Sequence, residues 1–238
     1  MYTGIAEVEI YLKKVREVLF YKKIAKVDVK EENINLEKDI FEASLEGQMF
    51  IYINRRSDII NLTSGNAVNY MVKLGYNGRM YFAEKDEKFE KEYVLKIEFT
   101  DGKSFYITGD KDTFIEVVAE DERKDYLDNL KVDPLDEKFS MDPLNKLVME
   151  FKGTVFDALI SGKEIRGIDP DYAGEILLAA EIDHSREANS LNMKEANNLF
   201  HAIQNVSQAI LVGNGKIQEP FSKKDMKIGS YELKSLLN

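Results

Sequence analysis

Near residue 120 the apolar residues change their spacing, which confines the chain to a sheet-rich first half and a helical second half. From Ile24 to about Val118 they come in short runs rich in Val, Ile, Phe and Tyr, such as Met49-Phe50-Ile51-Tyr52-Ile53, Tyr93-Val94-Leu95-Lys96-Ile97 and Ser104-Phe105-Tyr106-Ile107. Ser64-Gly65-Asn66, Asn77-Gly78 and Asp101-Gly102 separate the runs with residues suited to tight turns, so the spacing predicts an antiparallel sandwich or barrel. Ahead of it, Ile5, Val8, Leu12, Val15 and Leu19 recur at three- and four-residue steps and predict an amphipathic helix over residues 4 to 20, with Glu9, Lys13 and Arg16 on its polar face. Beyond it, Glu120 to Asp128 reads as the solvated face of a helix. Asp142-Pro143 and Asp169-Pro170 each pair an N-cap with a proline suited to a first helical position. Ile176, Leu177 and Ala180 give the second of these helices an apolar stripe, and Leu199, Ile203, Val206 and Ile210 give one to a last long helix ending at Gly213-Asn214-Gly215. Lys216 to Asn238 reads as a short polar tail.

Composition narrows the chemistry. With 44% apolar and 32% charged residues over 238 positions, the chain is expected to be a soluble globular protein, and cytoplasmic, because it has no apolar run of the roughly 20 residues that cross a bilayer and no signal-like N-terminus. The absence of cysteine excludes a disulfide framework and a thiol nucleophile, and His184 and His201 are too few for a cluster, so neither a metal nor a cofactor is expected. Asp and Glu outnumber Lys and Arg by 43 to 33, for a net charge of −10, so any contact with a phosphate backbone requires local concentration of the cations.

Local constellations are modest. Glu7 and Glu9 point about 200° apart on a helix and cannot face one bond, so they read as unrelated helix carboxylates. Lys73 to Arg79 carries two glycines but returns to strand, which makes it a hairpin turn and not a nucleotide loop. Arg55-Arg56 is the densest cation pair of the sheet region and reads as a strand end facing solvent or a phosphate.

Taken in order, several of these segments resemble the formamidopyrimidine-DNA glycosylase and endonuclease VIII family up to about Gly215. Glu7-Val8-Glu9 resembles its first helix, Gly47-Gln48-Met49 through Arg55-Arg56 its paired arginines, and Leu74-Gly75-Tyr76-Asn77-Gly78 its later glycine turn. Asp101-Gly102, Asp133-Pro134-Leu135 with Phe139, and Gly167-Ile168 with Tyr172-Ala173 and Glu175-Ile176-Leu177 follow in the family order, the last resembling the start of a helix-two-turn-helix motif. The resemblance implies an α+β fold: an N-terminal antiparallel β-sandwich with an N-terminal helix over residues 1–130, a helix-two-turn-helix domain over 131–216, and a short tail at 217–238 in place of the family's zinc finger.

The same resemblance exposes departures. The family's N-terminal proline amine, which attacks the sugar, and the glutamate after it, which moves protons, correspond to Thr3 and Gly4. Met1 and Tyr2 precede Thr3, and two extended residues displace a free amine by about 7 Å. The lysine after the paired arginines is Asp58, which repels a phosphate, and the asparagine of the phosphate-binding helix start is Pro170, between Asp169 and Asp171. Tyr76 stands where the family inserts a methionine between strands, and of its arginine-arginine-phenylalanine insertion only Phe114 remains. The resemblance therefore implies a binding module with a degenerate catalytic centre. Arg55, Arg56, Lys73, Tyr76, Arg79 and Phe114 are its candidate contacts to DNA, bound weakly, to structured RNA or to an acidic protein surface. The alternative is an active DNA glycosylase and abasic-site lyase whose nucleophile is a lysine or the Met1 amine.

Overall fold

The computed structural model describes residues 3–234, so Met1, whose amine the alternative invokes, lies outside the described residues. Helix α1 (Ile5–Leu19) buries its predicted stripe and exposes Lys13 and Arg16. It is enclosed more fully than its spacing implies, since Glu7 and Lys14 are buried as well. Lys14 is held by Asp225 at 2.5 Å, which gives a buried ammonium the partner it requires.

Eight strands follow: β1 (Ile24–Val29), β2 (Phe50–Arg56), β3 (Ile59–Ser64), β4 (Asn69–Lys73), β5 (Arg79–Ala83), β6 (Leu95–Phe99), β7 (Ser104–Thr108) and β8 (Phe114–Val118). They form two antiparallel four-stranded sheets, ordered β1-β6-β7-β5 and β2-β3-β4-β8, in the sandwich that the period-two runs predict. Every residue of β3 is buried, as suits a central strand. Phe41, Tyr70 and Phe50 meet edge to face at 5.5 and 6.3 Å, and full burial of such side chains contributes about 1.5–3 kcal/mol each. Helix α2 (Lys38–Leu45) interrupts the stretch expected to be all sheet. Its apolar anchors, Phe41 and Leu45, lie four residues apart, too few to register as a helical period.

Beyond β8 the chain is helical: α3 (Glu120–Asp128), α4 (Met141–Glu150), α5 (Val155–Ile160), α6 (Pro170–Ala180) and α7 (Met193–Val212). Helix α3 buries none of its side chains, in keeping with a solvated acidic face. Helix α6 starts as its sequence predicts, with the Asp169 side chain accepting from the Tyr172 N–H and Pro170 at the first helical position. Helix α4 does not start at Asp142: its N-cap is Ser140, and Asp142 and Pro143 fall in its first turn. A proline is tolerated there because first-turn N–H groups have no helical partner, and the Asp142 charge favours the positive end of the helix dipole. Helix α7 begins with a reciprocal capping box between Asn192 and Glu195.

The chain divides into two compact units. Among the described residues, one comprises Thr3, Val8–Asn129 and Gln218–Ile228; the other comprises Gly4–Glu7, Leu130–Ile217 and 229–234. The second has its own core, in which Leu144, Leu147, Leu159, Ile176, Leu199 and Ile203 pack with Ala6. The stretch after Gly215, read as a tail, has no helix or strand among its described residues, yet Ile217, Phe221 and Ser222 are buried and the Phe82 N–H donates to the Phe221 carbonyl at 2.8 Å. No helix of the described residues is long and apolar enough to cross a membrane.

Candidate nucleic-acid interface

In the sheet unit, strand register gathers part of the candidate set. Arg56 faces Ile59, Ile59 faces Lys73, and Lys73 faces Phe114, so these four form one row across β2-β3-β4-β8. Directly opposed residues in antiparallel strands project to the same side, so Arg56, Lys73 and Phe114 share a face, with Lys73 exposed and the other two half-buried. Arg55, one residue back, projects to the other face. Its Nε donates to Glu9 Oε2 at 2.6 Å and its side chain is only 11% exposed, so it ties β2 to α1. Ser57 and Asp58 form the turn between Arg56 and Ile59 at the end of the row, with Ser57 at φ 54°.

Tyr76 lies in the turn that joins β4 to β5, and Arg79 opens β5. That turn is seated on the loop before β8: the Gly75 N–H donates to Thr113 Oγ1 at 3.1 Å, and a Cβ on Gly75 would lie 2.4 Å from the Asp112 carbonyl carbon. The Thr3 hydroxyl donates to the Gly75 and Gly78 carbonyls at 3.2 and 3.0 Å, and an Arg79 guanidinium N–H reaches the Gly78 carbonyl at 2.8 Å. Tyr76 remains 39% exposed at the tip. The Tyr76 turn and the segment leading to Phe114 therefore form one packed projection, with Thr3 fastened to its base.

In the helical unit, Gly4 borders a buried ionic cluster that the sequence did not disclose. Glu7 accepts from the Gly4 N–H at 3.1 Å, from the Lys216 N–H at 2.7 Å and from the Tyr172 hydroxyl. The Lys216 ammonium donates to Asp169 Oδ2 and Asp171 Oδ2, each at 2.8 Å, and lies 4.1 Å from the Tyr172 ring centroid. Burial raises the Glu7 carboxyl above its ordinary range, against the lowering bonds from Tyr172 and the Lys216 N–H. Burial likewise raises Asp169, opposed by Lys216. For Lys216 burial works against the charge, but Asp169 and Asp171 outweigh it and hold the ammonium above its usual value. Burial and the adjacent Glu7 push the Tyr172 phenol strongly up. Lys216 is thus a fixed cation at neutral pH, held at the start of α6 by the two aspartates that the sequence places there.

Space around Gly4 is closed. A Cβ there would lie 2.4 and 2.7 Å from Tyr172 ring atoms and 2.8 Å from Asp169 Oδ2, closer than real Cβ contacts come. Gly215, at φ +68°, approaches so near that its Cβ would meet Glu7 Oε1 at 2.5 Å. Sequence spacing does not reveal Glu7, Tyr172 and Lys216 as a group, because helical geometry turns Glu7 away from Glu9, Lys216 lies in a polar stretch, and both it and Tyr172 are far along the chain from Glu7. The available signal was a carboxylate among the buried residues Ile5, Ala6 and Val8. Among the described residues no group of three or more His, Cys, Asp and Glu side chains is placed to hold a metal ion.

Comparison with known proteins fits this architecture. The family model of the formamidopyrimidine-DNA glycosylase N-terminal domain matches residues 4–114. The formamidopyrimidine-DNA glycosylase of Wolbachia pipientis wMel is 27% identical over 217 residues, covering 90% of this chain and 80% of the relative. That of Mycoplasma genitalium is 25% identical over 231 residues, covering 95% and 81%. The fold is similar to that of the Lactococcus lactis Fpg in complex with an abasic site containing DNA, with a TM-score of 0.83 at 20% identity over 92% of this chain and 82% of that one. With two antiparallel sheets, a capped α6 and relatives that match nine-tenths or more of its length, the chain is similar in sequence to the formamidopyrimidine-DNA glycosylases and shares the fold of the Lactococcus lactis Fpg.

Proposed function

We propose that this chain is a glycosylase-fold module that binds DNA and does not excise bases. The closed space at Gly4 carries the proposal: the position that matches the family's acid/base glutamate abuts Tyr172 and Asp169, with no room for a side chain of any length. The matching nucleophile position, Thr3, spends its hydroxyl on two backbone carbonyls. Losses of nucleophile and of acid/base each lower a rate by orders of magnitude. The alternative, an active lyase working through a lysine, finds a candidate in Lys216, whose backbone N–H shares Glu7 with that of Gly4, but an ammonium held by two carboxylates is not a nucleophile.

DNA is the favoured ligand because similar structures were solved as DNA complexes and because Arg56, Lys73 and Phe114 share one face near the exposed Tyr76. Residues 1–130 would act as the sandwich domain and 131–216 as the helical domain, with α6 and α7 as its helix-two-turn-helix. Of the anchors that hold a kinked duplex in the family, the lysine is replaced by Asp58 and the asparagine by Pro170, while Lys73 stays basic. Neutralising one or two phosphates gives a slope of about −1 to −2 in log K against log salt. Titration of intact and abasic duplexes at two salt concentrations tests this, and weak binding without preference for the lesion is expected. Sub-micromolar, abasic-selective binding at roughly physiological salt would overturn it.

A further inference from the structure

The sheet unit contains a second candidate site whose residues none of the foregoing uses, apart from Arg79. A cavity of about 500 Å³ lies between the irregular segment that joins β5 to β6 and the 219–223 stretch, within the range of pockets that take small ligands. Tyr11, Tyr81 and Phe89 line it. Phe89 is stacked on Tyr106 at 4.2 Å and 18° and lies against Tyr81 at 5.2 Å and 31°, so the two half-buried lining rings, Tyr81 and Phe89, are held in place before any ligand arrives. Pre-ordered rings of this kind offer a stacking surface to a planar heterocycle.

The charges around the cavity run against those of the chain. On a protein of net charge −10, the cations Arg79, Lys88, Lys91 and Lys223 outnumber the acids Glu87, Glu90 and Glu219. Two of these acids are already engaged. Glu87 accepts from the Tyr81 hydroxyl and lies 3.4 Å from Lys223, and Glu219 pairs with Lys91. These ion pairs also fasten the two loops to each other, leaving Arg79 and the exposed Lys88 as the positive charge of the lining.

We propose that this cavity binds a nucleoside monophosphate, with its base stacked on the Tyr81 and Phe89 side and its phosphate at Arg79 and Lys88. The ligand is either a free nucleotide or the phosphorylated end of a nucleic-acid strand. The inference is independent of DNA binding along the Arg56-Lys73 row. Isothermal titration of the whole protein with adenosine monophosphate, adenosine and inorganic phosphate tests it. One-to-one binding of the monophosphate is expected, with adenosine and phosphate each at least about tenfold weaker. Lys88→Glu and Phe89→Ala should each weaken the monophosphate by about fivefold or more. Lys88 is exposed, so its variant remains informative should the Phe89 variant fail to fold. A 5′-phosphorylated single strand that competes with the monophosphate identifies the strand end as the source, and one that does not compete identifies the free nucleotide; both support the site. No saturable heat with the monophosphate at millimolar concentration, equal binding of phosphate alone, or binding unchanged by Lys88→Glu would overturn it.

Discussion

Replacing Lys216 with methionine keeps an unbranched stem of similar length and removes the ammonium that pairs with Asp169 and Asp171 beside Glu7. In the native protein the Lys216 and Asp169 side chains are 3% and 5% exposed, so the substitution strands a buried carboxylate; Asp171, at 34%, can rehydrate. Breaking a buried pair from one side costs about 3–5 kcal/mol, a large share of the roughly 5–15 kcal/mol that holds a domain folded. The loss depends on pH in a defined direction. Asp169 already has a folded pKa above its ordinary 3.8, and without Lys216 that value rises further. A carboxyl with a raised folded pKa binds more protons folded than unfolded, so its contribution to stability grows as pH falls through the folded value and levels off below 3.8. The native Lys216, raised above 10.5, contributes fully below that pH and loses its contribution only as pH climbs through its folded value. Urea unfolding followed by far-ultraviolet circular dichroism at pH 7 and pH 5 should therefore show a deficit of about 3–5 kcal/mol in Lys216→Met that narrows at the lower pH. A deficit below about 1 kcal/mol at pH 7, or one that does not narrow, would refute the reasoning.

Gly4→Ala should destabilise by about 1–3 kcal/mol through overpacking against Tyr172, read from the urea midpoint, and Gly4→Glu should restore no strand cleavage. Glu9→Gln should cost about 1–3 kcal/mol by removing the carboxylate charge that meets the largely buried Arg55 guanidinium at 2.6 Å. Lys73→Glu should weaken binding to every duplex alike and flatten the salt slope by about one unit in a gel-shift titration, with thermal stability unchanged because Lys73 is exposed. Asp169→Ala should cost at least the roughly 0.5–2 kcal/mol of a lost N-cap, and more because the buried Lys216 keeps only the partly exposed Asp171 as a partner, when measured by denaturant unfolding.

The elements were legible where the core imposes a period on the sequence. Ile5, Val8, Leu12, Val15 and Leu19 marked α1, and the Val, Ile, Phe and Tyr runs marked the sheets, because burial selects one face at a fixed step. Helix α2, with two anchors, and the start of α4, with a proline inside its first turn, gave no such step. The candidate interface was legible as residue types but not as an arrangement: only the pairing of Ile59 with both Arg56 and Lys73 puts those cations in one row and turns Arg55 away to Glu9. The ionic cluster was illegible for a different reason. Glu7 is buried by partners 165 and 209 residues along the chain, and a carboxylate on a helix looks solvated until such partners are known.

On the proposed function, no group at the Gly4 site performs the covalent chemistry of a base-excising glycosylase. Borohydride reduction of the protein incubated with duplex DNA containing an abasic site tests it most directly, because a Schiff base between any amine and the sugar aldehyde becomes a stable cross-link. No cross-linked species and no strand cleavage above background are expected, together with weak, salt-sensitive retention of the same DNA in a gel shift. A covalent complex formed in high yield, above all one abolished by Lys216→Met, would contradict it and establish this chain as an active lyase.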